Sequence, residues 1–112
     1  MQPEYRKIYV KKRPYVDDFL KEMSKHFEIV MFTASVERYA VPLFERLDPK
    51  GNIIDSQLFR QHCTLITAEH KSYTKDLTML GRPMKDIIIV DNSPHAYSFQ
   101  PSNALPSITW EY

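Results

Sequence analysis

Glycine is almost absent from this chain: of 112 residues only Gly51 and Gly81 are glycine. The glycine-rich turns with which P-loop and dinucleotide-binding proteins cradle phosphates are therefore excluded, and any phosphate must be held by side chains and helix N-termini. Cysteine is scarcer still. Cys63 stands alone, so no intrachain disulfide forms, the cystine-stapled secreted class is ruled out, and a reducing compartment is expected. No apolar run nears the roughly 18 to 20 residues of a membrane span, and the start Met1-Gln2-Pro3-Glu4-Tyr5 carries no signal-peptide pattern. The expectation is a soluble segment of an intracellular protein, nuclear or cytoplasmic, with an organellar or membrane-anchored parent left open. Net charge is missing too. With 15 basic and 14 acidic residues, no global field favours nucleic acid or an acidic membrane, and neither is expected as a partner. The local cluster Arg6, Lys7, Lys11, Lys12 and Arg13 reads as a solvated edge strand protected by its charges.

What is present is a chain with 43% hydrophobic residues, enough for one modest core and a single domain over residues 1–112. The pattern predicts a short strand over Arg6 to Lys11, then a helix with Pro14 at its first position and Asp17 and Asp18 complementing its positive end. Val16, Phe19, Leu20, Met23 and Phe27 share one face of that helix. Ile29-Val30-Met31-Phe32 and Ile87-Ile88-Ile89-Val90 are continuous apolar runs of strand length, the pattern of strands buried on both faces in a parallel sheet. Between them Val36, Tyr39, Ala40, Leu43, Phe44 and Leu47 repeat at helical spacing, with Pro42 predicting a break into two short helices. Gln57 to Arg60 reads as a short strand, Ser93 and Pro94 as the start of a short helix, and Ala104 to Trp110 as a last extended piece. Apolar strands alternating with amphipathic helices define an α/β fold with a mainly parallel sheet.

Ligands of open parallel sheets bind beyond the carboxyl ends of the strands. The first buried run ends in Thr33-Ala34-Ser35, which offers a hydroxyl and free backbone N–H groups to an anion. The second ends in Asp91-Asn92, hard oxygen donors of the kind that suits magnesium. Lys75 lies between them in sequence. A hydroxyl, an ammonium and an oxygen-donor metal site are the parts that phosphoryl transfer uses. Each also has a plainer reading: Thr-Ala-Ser as a helix cap, Asp-Asn as turn chemistry, Lys75 as a surface lysine.

Read together, the runs Phe32-Thr33-Ala34-Ser35, Lys75-Asp76-Leu77 and Val90-Asp91-Asn92-Ser93-Pro94 resemble motifs two, three and four of the haloacid dehalogenase superfamily. The form is that of the NIF-type phosphatases, which include the RNA polymerase II carboxy-terminal-domain phosphatases and the Dullard phosphatases. Lys12-Arg13-Pro14, Leu47-Asp48, Arg60-Gln61-His62-Cys63, Tyr97, Pro101, Asn103-Ala104, Pro106 and Trp110 extend the match from about Tyr9 to Trp110. The resemblance implies a three-layer, Rossmann-like α/β domain acting as a magnesium-dependent (Mg2+) phosphatase on phosphoserine and phosphothreonine in proteins. In that reading Thr33 hydrogen-bonds a phosphoryl oxygen and Lys75 neutralises the moving phosphoryl charge. Asp91 and Asn92 hold the metal. Val36 and Tyr39 line an apolar pocket for a proline beside the phosphorylated residue, and Arg60 helps position the peptide, although helix core and surface charge explain these three as well. The loop from Cys63 to Tyr73 is a few residues longer than in the relatives it otherwise resembles, which leaves substrate identity open.

The same resemblance implies a nucleophile that the sequence does not contain. In the family it is the first aspartate of an Asp-x-Asp motif on the strand opening the domain. Here the aspartates are Asp17, Asp18, Asp48, Asp55, Asp76, Asp86 and Asp91, and no two are separated by a single residue. The expectation is a partial domain, short at both ends and without its first catalytic strand, that binds phosphorylated ligand and metal weakly and does not turn over. That strand would lie between those ending at Phe32 and Val90, whose facing edges then require direct pairing, strand exchange between copies, or the absent segment. The competing expectation is a non-catalytic pseudophosphatase or protein-interaction module of the translocase type. A zinc site from His62, Cys63 and His70 matches no ligand spacing.

Overall fold

The computed structural model describes residues 9–69 and 71–111. Helix α1 spans Val16–Met23, strand β1 Val30–Phe32, helix α2 Glu37–Leu47, β2 Ser56–Leu58, β3 Thr64–Thr67, β4 Ser72–Thr74, β5 Ile89–Asp91 and β6 Ala104–Pro106, with short 3-10 turns between several of them. β1 pairs with β2 in parallel (Val30 opposite Ser56, Phe32 opposite Leu58), and β5 with β6 in parallel (Ile89 opposite Ala104, Asp91 opposite Pro106). β3 and β4 form an antiparallel hairpin. A parallel pair joined through α2 and a second joined through turns give the α/β architecture the alternating pattern predicts.

The core sits under α2, where Ala40, Phe44 and Phe59 are buried and Met31, Val41, Leu47 and Ile54 pack around them. The Phe44 and Phe59 rings stack at 5.9 Å. Asp48 closes the turn after α2: its carboxylate accepts from the N–H groups of Asn52 (3.1 Å), Ile53 (3.0 Å) and Ile54 (2.8 Å). These bonds hold its pKa below the usual carboxylate value, the Ile54 N–H contributing most. Gly51 supplies the left-handed residue of that turn, with φ 71°. Asp55 then accepts from Ile29 N–H at 2.7 Å, setting β2 beside β1.

Several local expectations are corrected. α2 runs unbroken through Pro42. Proline there costs the bond from residue 42 to the Arg38 carbonyl, but Ala40 and Phe44, on either side of it, hold the helix against Phe59. α1 begins at Val16 rather than Pro14, because Tyr15 takes a left-handed φ of 68°; Asp17 and Asp18 do fall in its first turn. Of the strand expected over Arg6 to Lys11, residues 6–8 lie outside the described residues and 9–11 carry no strand. The segment 11–13 is instead tied down individually: Trp110 Nε1 donates to the Lys11 carbonyl (2.9 Å), Arg13 to the Ile108 carbonyl (2.5 Å), and Lys12 pairs with Asp17. Pro94 to Tyr97 is a turn, not a helix, and the extended piece from Ala104 ends as a strand at Pro106.

The largest correction concerns the two apolar runs. Neither strand is buried on both faces: β1 is half-buried throughout, in β5 only Ile89 is buried while Val90 is 53% exposed, and Ile88, just before the strand, is 54% exposed. The apolar residues of α1, which ends at Met23, and Phe27 beyond it share this openness, with Phe19 and Phe27 about half exposed and, within α1, Leu20 alone buried. Among the described residues β1 pairs only with β2 and β5 only with β6. Residues of both strand pairs line a groove of about 840 Å3, with Phe19, Phe27, Val30, Phe32, Ile88 and Val90 among its walls.

Candidate functional site

At the carboxyl ends of β1 and β5 the chain builds a second cleft, of about 700 Å3. Lys75, one residue past β4, sends its ammonium to 2.5 Å from Asp91 Oδ2 at the end of β5. Both side chains are largely buried, 12% and 10% exposed. The other carboxylate oxygen of Asp91 accepts from Ser93 N–H at 2.9 Å. Asp91 is thereby fixed from both sides, and the Lys75 backbone is held in turn by its N–H bond to the Ala96 carbonyl at 2.8 Å. Asn92 follows on the rim, its Nδ2 donating to Thr109 Oγ1 at 2.9 Å.

Thr33 lies just beyond β1, with its N–H bonded to the Leu58 carbonyl and its Oγ1 accepting from Ser35 N–H, each at 3.0 Å. The hydroxyl thus closes a turn as an acceptor, the plainer of its two readings, and retains its proton as a donor. Lys75, Asp91, Asn92 and Ala34 line the cleft. Thr33 itself is not among the lining residues and stands one position before Ala34, while Lys75 Nζ lies 6.0 Å from the centre of the Phe32 ring. The ends of β1, β4 and β5 therefore meet at one rim. Cys63 sits beneath, its thiol within 3.7 Å of the Thr33 and Phe59 carbonyls, and burial pushes its pKa up.

The remaining candidates lie around this centre. Val36 is the half-buried residue before α2, and Tyr39, 41% exposed on its first turn, carries the Arg38 guanidinium 4.9 Å over its ring. Neither lines the cleft. Arg60 is a strap: its Nε donates to the Ala34 carbonyl at 2.7 Å, and its guanidinium covers the Tyr73 ring at 5.4 Å. Tyr73, Ile66, Thr67, Lys71 and His95 carried no functional expectation from the sequence, yet all line the cleft, as does Ser72 of the loop that left substrate identity open. Tyr73 was within reach, since alternation in an extended chain puts it on the same side as Lys75.

Of the aspartates, Asp91 alone lines the cleft. Asp17 pairs with Lys12, Asp48 and Asp55 bond backbone N–H groups, and Asp76 accepts from Thr78 and Gln100. The side-chain oxygens of Asp91 and Asn92 are of the hard type magnesium prefers, and that ion is commonly held by one or two carboxylates, water and phosphate oxygens. The donor set fits it in kind and leaves several positions for water and phosphate.

The family model described as NLI interacting factor-like phosphatase matches residues 1–112. A probable C-terminal domain small phosphatase of Dictyostelium discoideum is 51% identical over 104 residues, covering 92% of this chain and 32% of that protein. A CTD small phosphatase-like protein of Homo sapiens is 47% identical over 103 residues, covering 92% of this chain and 36% of that protein. The chain thus spans about a third of the length of these relatives. Its fold is shared with the RNA polymerase II CTD phosphatase Fcp1, at a TM-score of 0.74 and 22% identity over 90% of this chain and 27% of that one. A fission yeast Fcp1 variant bound to beryllium fluoride gives 0.72 and 20% over 90% of this chain and 26% of that one. The fold is therefore the α/β fold of haloacid dehalogenase type, and this chain belongs to the family of NLI interacting factor-like phosphatases.

Proposed function

We propose that the chain is the greater part of a magnesium-dependent phosphatase domain acting on phosphoserine and phosphothreonine in proteins, and that it lacks turnover by itself. The observation that carries this reading is the Lys75–Asp91 pair at the meeting point of three strand ends, beside an apolar groove lined by β1 and β5, which among the described residues pair only with β2 and β6. A strand seated in that groove would deliver its carboxyl-end residues to the cleft. We assign it the Asp-x-Asp nucleophile that the sequence does not contain, and the greater length of the relatives leaves ample chain to supply it. Exchange of strands between two copies is the alternative way to cover the same edges.

In this mechanism a carboxylate oxygen of the seated strand attacks phosphorus, and the bond to the serine or threonine oxygen breaks. The second aspartate of that strand gives its proton to the departing oxygen, then takes one from the water that splits the acyl phosphate. Thr33 donates its hydroxyl proton to a phosphoryl oxygen, and Lys75 balances the charge on the group in transit. Magnesium, held by Asp91 and Asn92, would supply further neutralisation of phosphoryl oxygens. Val36 and Tyr39 form the contact for a proline beside the phosphorylated residue, and Arg60 keeps the Thr33 loop in place. The lone thiol of Cys63 suits an intracellular setting, nuclear or cytoplasmic. Among the described residues no helix is long and apolar enough to cross a membrane.

The test is magnesium-dependent hydrolysis of an aryl phosphate and a phosphopeptide by this chain, alone and within the whole protein. The chain alone is expected to be inactive and the whole protein active. Turnover by the chain alone that disappears in Asp91→Asn would refute the missing-nucleophile reading. An inert whole protein would refute the enzyme and leave the non-catalytic interaction module.

A further inference from the structure

The hairpin beside the cleft has two irregularities that the Lys75–Asp91 chemistry does not require. The ladder registers Leu65 opposite Tyr73 and Thr67 opposite Ser72, so Ile66 is an extra residue, a β-bulge. Regular alternation would send Ile66 and Thr67 to opposite faces, yet both line the cleft. Bulges re-aim side chains in this way and gather beside active sites. The second irregularity is Lys71, which holds a left-handed φ of 46° that lysine rarely takes and also lines the cleft. Among the described residues no carboxylate pairs with Lys71, whereas Lys75 is engaged by Asp91.

The hairpin is anchored at its base. Thr74 is fully buried, its hydroxyl bonded to the Ala96 carbonyl and to Ser98 Oγ at 3.2 Å each, and Tyr73 lies under Arg60. Ile66 itself is 42% exposed. A fixed base thus presents an open apolar side chain and an unneutralised cation along one wall of the cleft.

Resting on the phosphatase reading, we infer that the bulged hairpin is the specificity wall of the site, selecting phosphopeptides with an apolar residue next to the phosphorylated one and an acidic residue a few positions further on. Ile66 packs against the first, and Lys71 attracts the second. An apolar contact and an exposed charge pair each change affinity by a few-fold, so together they make a preference of about tenfold.

The probes are two fluorescein-labelled phosphoserine peptides, one with leucine beside the phosphoserine and aspartate beyond it, the other with glycine and serine at those positions. Binding to the full chain is read by fluorescence polarisation with magnesium present. The first peptide is expected to bind about tenfold tighter. Ile66→Ser and Lys71→Gly, the latter suiting φ 46° better, should each cut that preference to about threefold, and Lys71→Glu should cut it further by repelling the aspartate. Lys75→Ala should weaken both peptides alike. A wild-type chain that binds the two peptides equally, or hairpin variants that keep the preference, would overturn the inference while Lys75→Ala still weakens binding. No loss of binding in Lys75→Ala would overturn the phosphate reading beneath it. Circular dichroism of each variant confirms that the fold is intact.

Discussion

Lys75 Nζ lies 2.5 Å from Asp91 Oδ2, joining the end of β4 to the end of β5 across sixteen residues of sequence. The pair is both the chemical centre of the cleft and a clamp on the fold. Removing one partner strands the other charge in a largely desolvated place. Lys75→Met is expected to destabilise the chain by about 2 kcal/mol, less than a fully buried pair because some solvent contact remains. Adding Asp91→Leu should recover most of that loss. Urea unfolding of the single and double variants checks both.

Val90 is half exposed on the groove face of β5, so Val90→Lys is expected to change the stability of the isolated chain by no more than about 0.5 kcal/mol. In the whole protein the same lysine would meet the seated strand and abolish phosphatase activity. Full activity in that variant would mean the groove is not occupied by the catalytic strand. The open groove is also expected to make the isolated chain associate with concentration in sedimentation velocity, and Val90→Lys should reduce that association.

Pro42 interrupts the hydrogen-bond ladder of an otherwise continuous α2 and is exposed. Pro42→Ala restores the N–H that can reach the Arg38 carbonyl. A gain of about 1 to 3 kcal/mol in unfolding free energy is expected, with the cleft unaltered. Thermal unfolding followed by circular dichroism reads it directly.

The acid side of the stability profile follows from Asp48 and Asp76. The Ile54 N–H and its neighbours hold the pKa of Asp48 low, and the Thr78 hydroxyl, then Gln100, do so for Asp76. Carboxylates with depressed folded-state values stabilise above the unfolded value of about 3.9, and that contribution fades as pH falls through the folded value. The melting temperature should therefore hold steady from neutral pH and drop as pH is lowered below about 4. Asp48→Asn should lower it at neutral pH and flatten the acid decline. An unchanged decline in that variant would assign the loss to other groups.

The helix of α1 and the positions of β1 and β5 were legible because apolar periodicity and β-branched runs are local properties. So were Asp91 and Asn92 as residues at or beside a strand end, whereas Lys75 stood out only through the family resemblance, since the strand before it left no pattern of its own. Pro42 misled for a reason of energy: one missing hydrogen bond is outweighed by Ala40 and Phe44 docking on Phe59, a contact that is remote in sequence. Thr67, Lys71 and His95 gave no signal at all, because a residue lines a cleft by virtue of its neighbours in space. The bulge at Ile66 could not be read either, since it exists only relative to the partner strand.

The amino-acid sequence by itself determined the fold class, the family motifs and the absence of an Asp-x-Asp pair, since each rests on residue type and spacing along the chain. Only the tertiary structure decided that the apolar faces of β1 and β5 stay open, that Arg60 is a strap across the site, and that the β3–β4 hairpin walls it. The physical reason is that apolarity states a demand for burial without naming what meets it. In this chain the demand is met under α2 and left standing in the groove.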